Sequence, residues 1–278
     1  MSYRTVISIL SVHQPEEDLR SAIAFARKEG AHLVAILVSM FVPPAVEAYA
    51  GAISTVWLEE RDKDRLQLLE AEKKAREYLA ATGISFELEL LQTEIALADN
   101  QIGTRARYAD IVLIGRNLNL DPELRARAID GALFSAPKPI LVVPEKKEPT
   151  LSPRNIVLAW DSSVEASRGV REALEMMKAA EEVVVTMVDP TASYGLNGGE
   201  PGADIATFLA RHGVKVSVER IASGGRSVAD VLNEKAIAID ADLIVMGAYG
   251  HSRLRERIFG GVTRDMLEGA VVPVLLAR

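Results

Sequence analysis

The chain repeats itself: its two halves are copies of one plan in which apolar runs alternate with helical patterns. Tyr108-Ala-Asp-Ile-Val-Leu-Ile-Gly115 aligns with Asp240-Ala-Asp-Leu-Ile-Val-Met-Gly247, which sets Asp110 on Asp242 and Gly115 on Gly247. Ala136-Pro-Lys-Pro-Ile-Leu-Val-Val143 aligns with Ala270-Val-Val-Pro-Val-Leu-Leu-Ala277, with Pro139 on Pro273. The openings, Thr5-Val-Ile-Ser-Ile-Leu10 and Asn155-Ile-Val-Leu-Ala-Trp160, also correspond. Between the copies lies the charged, Pro-rich stretch from Pro144 to Pro153, which has no apolar pattern and reads as a linker. The expected organisation is one domain over residues 1–145, a linker over 146–153 and a second domain over 154–278.

Within each copy, apolar runs alternate with helical periodicity. In the second copy the pattern predicts strands at 156–160, 183–188, 214–221, 242–247 and 271–277. It predicts helices at 163–179, 203–212, 227–239 and 263–268, with Ser227 and Asp230 as a capping pair for the third. Strands that are apolar throughout are buried on both faces, and helical crossovers between them are right-handed. The fold class is therefore α/β, two tandem doubly wound parallel sheets. The first copy carries an insertion, 41–81, whose later part reads as a helix over 57–79 with apolar positions Leu58, Leu66, Leu69, Ala75 and Tyr78. Glu59/Lys63 and Glu70/Lys74 would support its exposed side.

Composition narrows the function. Apolar residues make up 49% and the formal charge is −7, so a full core is available and the basic footprint of a nucleic-acid or anionic-membrane binder is missing. With no cysteine, disulfides, thiolate metal sites and cysteine nucleophiles are excluded. The start of the chain lacks the basic region and cleavage pattern of a signal peptide, and the uncharged stretch from Ala31 to Val46 is too short to span a bilayer. These features lead us to expect a soluble, cytoplasmic protein.

The chemistry concentrates in the second copy. Gly247-Ala-Tyr-Gly250 follows a strand, and Gly260-Gly261-Val-Thr263 opens a helix nine residues later. Glycines at a strand end and a helix start let backbone N–H groups approach an anion such as phosphate. In an open parallel sheet, ligands sit beyond the carboxyl ends of the strands, where the strand order reverses. That crevice would bring Asp161, after the first strand, and Val188-Asp189, after the second, to the glycine loop.

In the order of its elements, in Asp161 closing the first strand and in the spacing Gly-x2-Gly-x9-Gly, the chain resembles the universal stress protein family. The likeness to the tandem form of that family covers essentially the whole chain. It implies a Rossmann-like strand order 3-2-1-4-5 in each domain. In that family the glycine signature, followed by Ser or Thr, marks members that bind ATP or AMP. The resemblance thus implies a stress-response protein that binds adenine nucleotide, with or without Mg2+, through Asp161, Val188, Gly247, Gly250, Gly260, Gly261 and Thr263. Gly261 stands where the family usually has Ser or Thr: the N–H survives and the hydroxyl is gone. Single-domain members dimerise through the last strand, which implies that 140–143 and the final strand pair and that the halves pack as a pseudo-dimer. A homodimer of whole chains stays open.

The first copy departs from this signature. Ser11 stands in the place of Asp161, Leu118 in that of Gly250, and Ala126 to Ile129 replace the second glycine pair; Gly131 is read as a turn. Bland readings stand beside the sharp ones. Gly247 and Gly250 also suit tight turns, Asp161 suits a turn or cap before the next helix, and the Val188 side chain suits the core. Arg253, Arg255, Arg257 and Arg264 flank the nine-residue span within reach of phosphates or pair with nearby acids, and His251 is a ligand contact or a surface residue. His13, His32 and His212 lack metal-ligand spacing. Ser223-Gly-Gly-Arg-Ser227 resembles the SGGxDS loop of ATP pyrophosphatases, but it follows the wrong strand and lacks the Asp. No base or nucleophile for an enzyme stands out, although slow ATP hydrolysis is left open. The alternative is an interaction or small-ligand module that ignores nucleotide.

Overall fold

The computed structural model describes residues 3–44, 55–144, 147–191, 199–250 and 261–278. They fall into two compact units, residues 3–136 and 137–278. The N-terminal unit contains β1 (Thr5–Ser11), α1 (Glu16–Glu29), β2 (His32–Phe41), α2 (Thr55–Ala80), β3 (Phe86–Glu94), α3 (Ala98–Ala106), β4 (Ile111–Ile114) and α4 (Pro122–Asp130). Its strands run parallel in the order β3-β2-β1-β4.

The C-terminal unit contains β5 (Ile140–Val142), β6 (Asn155–Ala159), α5 (Val164–Ala179), β7 (Glu182–Val188), α6 (Ala203–Arg211), β8 (Val216–Ile221), α7 (Val228–Ala238), β9 (Leu243–Gly247), α8 (Gly261–Gly269) and β10 (Val274–Ala277). Strands β8-β7-β6-β9-β10 are parallel in the expected 3-2-1-4-5 order. Strand β5 pairs antiparallel with β10, Leu141 opposite Leu275, so the edge of the last strand is covered as the sequence led us to expect. That pairing is why the division between units falls before β5 and not in the linker.

The central strands are apolar because helices cover both faces of the sheet. Val157, Leu158, Ile244 and Val245 are fully buried. Two strand starts lie later than expected, each for a local reason. The Val214 N–H closes onto the Leu209 carbonyl and so finishes α6 instead of joining the ladder. The Val271 N–H donates to Asn233 Oδ1, while Asn233 Nδ2 donates to the Gly269 carbonyl. Asn233 of α7 thereby holds the end of α8, and Pro273 supplies no N–H to begin the strand earlier.

Three readings of single residues need correction or refinement. The inserted helix, α2, occupies the place between β2 and β3 that α6 occupies between β7 and β8, so it is an elongated crossover. Its buried face is Leu68, Ala71, Ala75 and Leu79, whereas Leu58, Leu66, Leu69 and Tyr78 are exposed. The chosen leucines lie about a quarter-turn or more from the face that meets β2 and β3. The Glu70–Lys74 pair forms at 2.8 Å. Gly131 is no turn: it lies in a wide helical turn, 131–135, where a Cβ would approach the Asp99 carbonyl oxygen to 2.5 Å. Gly103 is the reciprocal contact, its Cβ position lying 2.7 Å from the Gly131 carbonyl oxygen.

The α2 assignment has a direct test. Leu68→Ala should cost about 2–5 kcal/mol in urea unfolding, as core truncations do, whereas Leu66→Ala should stay within about 0.5 kcal/mol. Equal losses at both positions would mean that the helix is rotated from the face described.

Candidate functional site

The site begins with a helix start. Ser163 caps α5 by accepting from the Ala166 N–H at 3.1 Å, and Asp161 Oδ1 accepts from the Ser163 N–H at 3.0 Å. Ser162, between them, adopts φ 64°, which folds the chain sharply out of β6. The first turn of α5 then presses on the end of β9. A Cβ at Gly247 would lie 2.4 Å from the Ala166 nitrogen, and one at Gly169 would lie 3.1 Å from the Met246 carbonyl oxygen. Gly247 is therefore a packing requirement, the bland reading of this residue. Gly250 is looser, its nearest neighbour being the Glu165 carboxylate at 3.2 Å, and Gly261 faces open space.

The glycine loop is pinned from two sides. Its Ala248 N–H donates to the Ala277 carbonyl at 2.8 Å, and its Tyr249 N–H donates to Thr263 Oγ1 at 3.2 Å. Tyr249 sits at φ 62°, a region that a side chain adopts only when its surroundings hold it there. Thr263 is buried, so its hydroxyl oxygen serves the loop while its proton remains available to donate. On the other side, Asp189, at φ 47°, accepts from the Ser223 N–H at 2.9 Å. The Ser223 hydroxyl and N–H hold the Asp189 carboxyl below its ordinary value. Ser223-Gly-Gly-Arg-Ser227 is thus a connection tied to β7, and Ser227 forms the expected capping box with Asp230.

Together these elements enclose a cavity of about 450 Å³ at the carboxyl ends of β6, β7 and β9. Asp161, Val188, Gly247, Gly250, Gly261 and Thr263 all line it. Gly260 lies outside the described residues, as do His251, Arg253, Arg255 and Arg257. Arg264 pairs with Glu268 at 3.5 Å. Sequence reasoning missed Trp160, Thr186 and Leu232, which also line the cavity. Thr186 carried a signal in hindsight, as a hydroxyl inside an otherwise apolar strand. The carboxylates of Asp161 and Asp189 and the first turn of α8 all border this cavity. The first N–H groups of α8 have no partner within the helix.

The corresponding crevice of the N-terminal unit is closed by its own acids. Asp18 Oδ1 and Oδ2 accept from the Asn117 N–H at 3.0 and 3.1 Å, and a Cβ at Gly115 would strike that carboxylate. Ser11 donates to Asp121 Oδ2 at 2.8 Å, while Asp121 Oδ1 caps α4 through the Leu124 N–H. The amides a bound anion would need are taken. Among the described residues no cluster of acids and histidines able to hold a metal occurs, and no helix is long and apolar enough to cross a membrane.

The sequence model of the universal stress protein family matches residues 153–278. The C-terminal unit is thus similar in sequence to universal stress proteins. A universal stress protein of Synechocystis is 31% identical over 156 residues, a stretch that covers 54% of this chain and spans only half of that relative's length. The fold likeness extends further. A universal stress protein structure from Archaeoglobus fulgidus covers 98% of this chain and is itself 96% covered, with TM-score 0.66 and 16% identity. A Pseudomonas aeruginosa structure described as a putative universal stress protein covers 99% of this chain and is 93% covered, with TM-score 0.56 and 16% identity. The fold likeness therefore runs along the whole chain, while the match to the family's sequence model lies in the C-terminal unit.

Two predictions follow from the geometry. Gly247→Ala should destabilise the chain by about 1–3 kcal/mol through the clash with α5, whereas Gly261→Ala should be neutral or slightly stabilising in thermal unfolding. Burial also raises the Asp18 carboxyl above its ordinary value of 3.8, against the lowering pull of the Asn117 and Leu118 amides. The folded state therefore holds this proton to higher pH than the unfolded chain. Stability should fall as pH rises from that ordinary value through the raised one, and Asp18→Asn should flatten the slope in urea midpoints measured against pH.

Proposed function

We propose that this protein binds one adenine nucleotide, ATP or AMP, in the cavity of its C-terminal unit, and acts by binding and not as an enzyme. The observation that carries the reading is the convergence of Asp161, Val188, Gly250, Gly261 and Thr263, from separate parts of the chain, on one cavity. The carboxylates of Asp161 and Asp189, which border the cavity, would accept from the hydroxyls of a ribose. Val188 would offer backbone groups to the base. The amides of Gly250 and the start of α8, with the Thr263 proton, would meet the phosphates. Mg2+ would arrive with the triphosphate, because no metal-binding cluster exists among the described residues to hold it alone. The setting would be a cytoplasmic stress response.

The occupied amides of the N-terminal unit support a stoichiometry of one. Titration calorimetry should give one nucleotide per chain, and Mg-ATP at a hundredfold over its Kd should stabilise the protein by about 2.7 kcal/mol. Gly261→Leu, which fills open space without meeting the fold, should remove that stabilisation while leaving the nucleotide-free melting temperature nearly unchanged. A wild-type chain that shows neither heat nor thermal shift with ATP or AMP would sink the proposal.

A further inference from the structure

We propose that the N-terminal unit holds a second binding site, a pocket between α1 and α2 that takes a free α-amino acid with an aliphatic or aromatic side chain. The pocket has a volume of about 500 Å³ and lies wholly within that unit. Its floor is apolar and buried: Val12 after β1, Leu19 on α1, and Ala71 and Ala75 one turn apart on α2. The two alanines leave the space that larger residues at a helix–helix contact would fill, and Tyr78 extends the apolar wall.

The charges around that floor are balanced and unequally engaged. On α2, Glu70 and Lys74 pair with each other at 2.8 Å. On α1, Glu16 and Arg20 stand one turn apart, both exposed, and neither closes an ion pair among the described residues. One acid and one base thus flank an apolar hollow, with Glu16 also close enough to Lys74 to feel its charge. A zwitterion with an apolar side chain matches this arrangement sign by sign. A plain carboxylate would meet Glu16, a plain amine would meet Arg20, and a purely apolar molecule would desolvate both without compensation.

The equivalent groove of the C-terminal unit differs in kind. Between α5 and α6 it measures about 370 Å³, is lined by Trp160, Val164 and Ile205 beside Ser162, Ser163 and Ser167, and carries Asp204 but no basic residue. The pairing of an apolar hollow with charges of both signs is therefore particular to the pocket beside the elongated α2. This site is independent of the nucleotide reading, because it shares no residue with the cavity of the C-terminal unit.

The test is calorimetry on the full chain without nucleotide, using L-leucine and L-phenylalanine against 4-methylpentanoate and 3-methylbutylamine. The amino acids should bind, with the carboxylate and the amine each roughly tenfold weaker or worse, the loss expected for one charge-assisted contact. Arg20→Gln and Glu16→Gln change exposed positions and should each weaken the amino acids about tenfold with an unchanged melting curve. Ala75→Leu should abolish binding, and Gly261→Leu should leave it intact. No heat from either amino acid at millimolar concentration, equal affinity for the carboxylate alone, or indifference to both α1 variants would overturn the proposal.

Discussion

The start of α5 lies against the end of β9, and the rest of the C-terminal unit is arranged around that contact. Gly247 and Gly169 remove the side chains that would hold helix and strand apart. With the helix seated, Ser163 lies beside Gly250 of the loop that leaves β9, in which Tyr249 is left-handed. Thr263 then fixes that loop to the first turn of α8. A cavity follows from this chain of contacts because the two segments that leave β6 and β9 cannot both fill the space between them.

The N-terminal unit makes the same approach and reaches a different end. Gly115 admits α1 as Gly247 admits α5, but there the first turn of α1 carries Asp18, whose carboxylate takes up the amides of the following loop. A second acid, Asp121, ties that loop to Ser11. Buried amides must find acceptors. In the N-terminal unit acids supply them, and in the C-terminal unit the Ala277 carbonyl and the Thr263 hydroxyl take the amides of Ala248 and Tyr249. The retained Gly115 is thus evidence of shared packing and not of a shared site.

The repeat can be sorted on this basis. Asp110 Oδ2 accepts from the Arg4 and Thr5 N–H groups, and Asp242 Oδ2 accepts from those of Arg154 and Asn155. Each therefore holds the start of the first strand of its unit. The residues that match between the copies, Asp110 with Asp242 and Gly115 with Gly247, serve the architecture. Those present in one copy only, Asp161, Gly250, Gly261 and Thr263, line the cavity. Periodicity exposed the strands and most helices because burial on both faces leaves a continuous apolar record. It failed on α2, where leucines occur on two sides and only contact with β2 and β3 selects Leu68 and Leu79. It failed on Gly131 because close helix–helix approach leaves no local pattern.

The strand order was what the family resemblance implied; by itself the sequence determined the alternation of strands and helices, the two copies and the grouping of Asp161 with the glycine loop in the second copy. These depend on local periodicity and on residue types whose backbone freedom or charge restricts where they can sit. Only the tertiary structure decided why each glycine is there, which amides are already satisfied, and where the Thr263 oxygen is committed. Those are properties of surfaces brought together from distant parts of the chain, and a one-dimensional pattern holds no record of what lies 3 Å away across a fold.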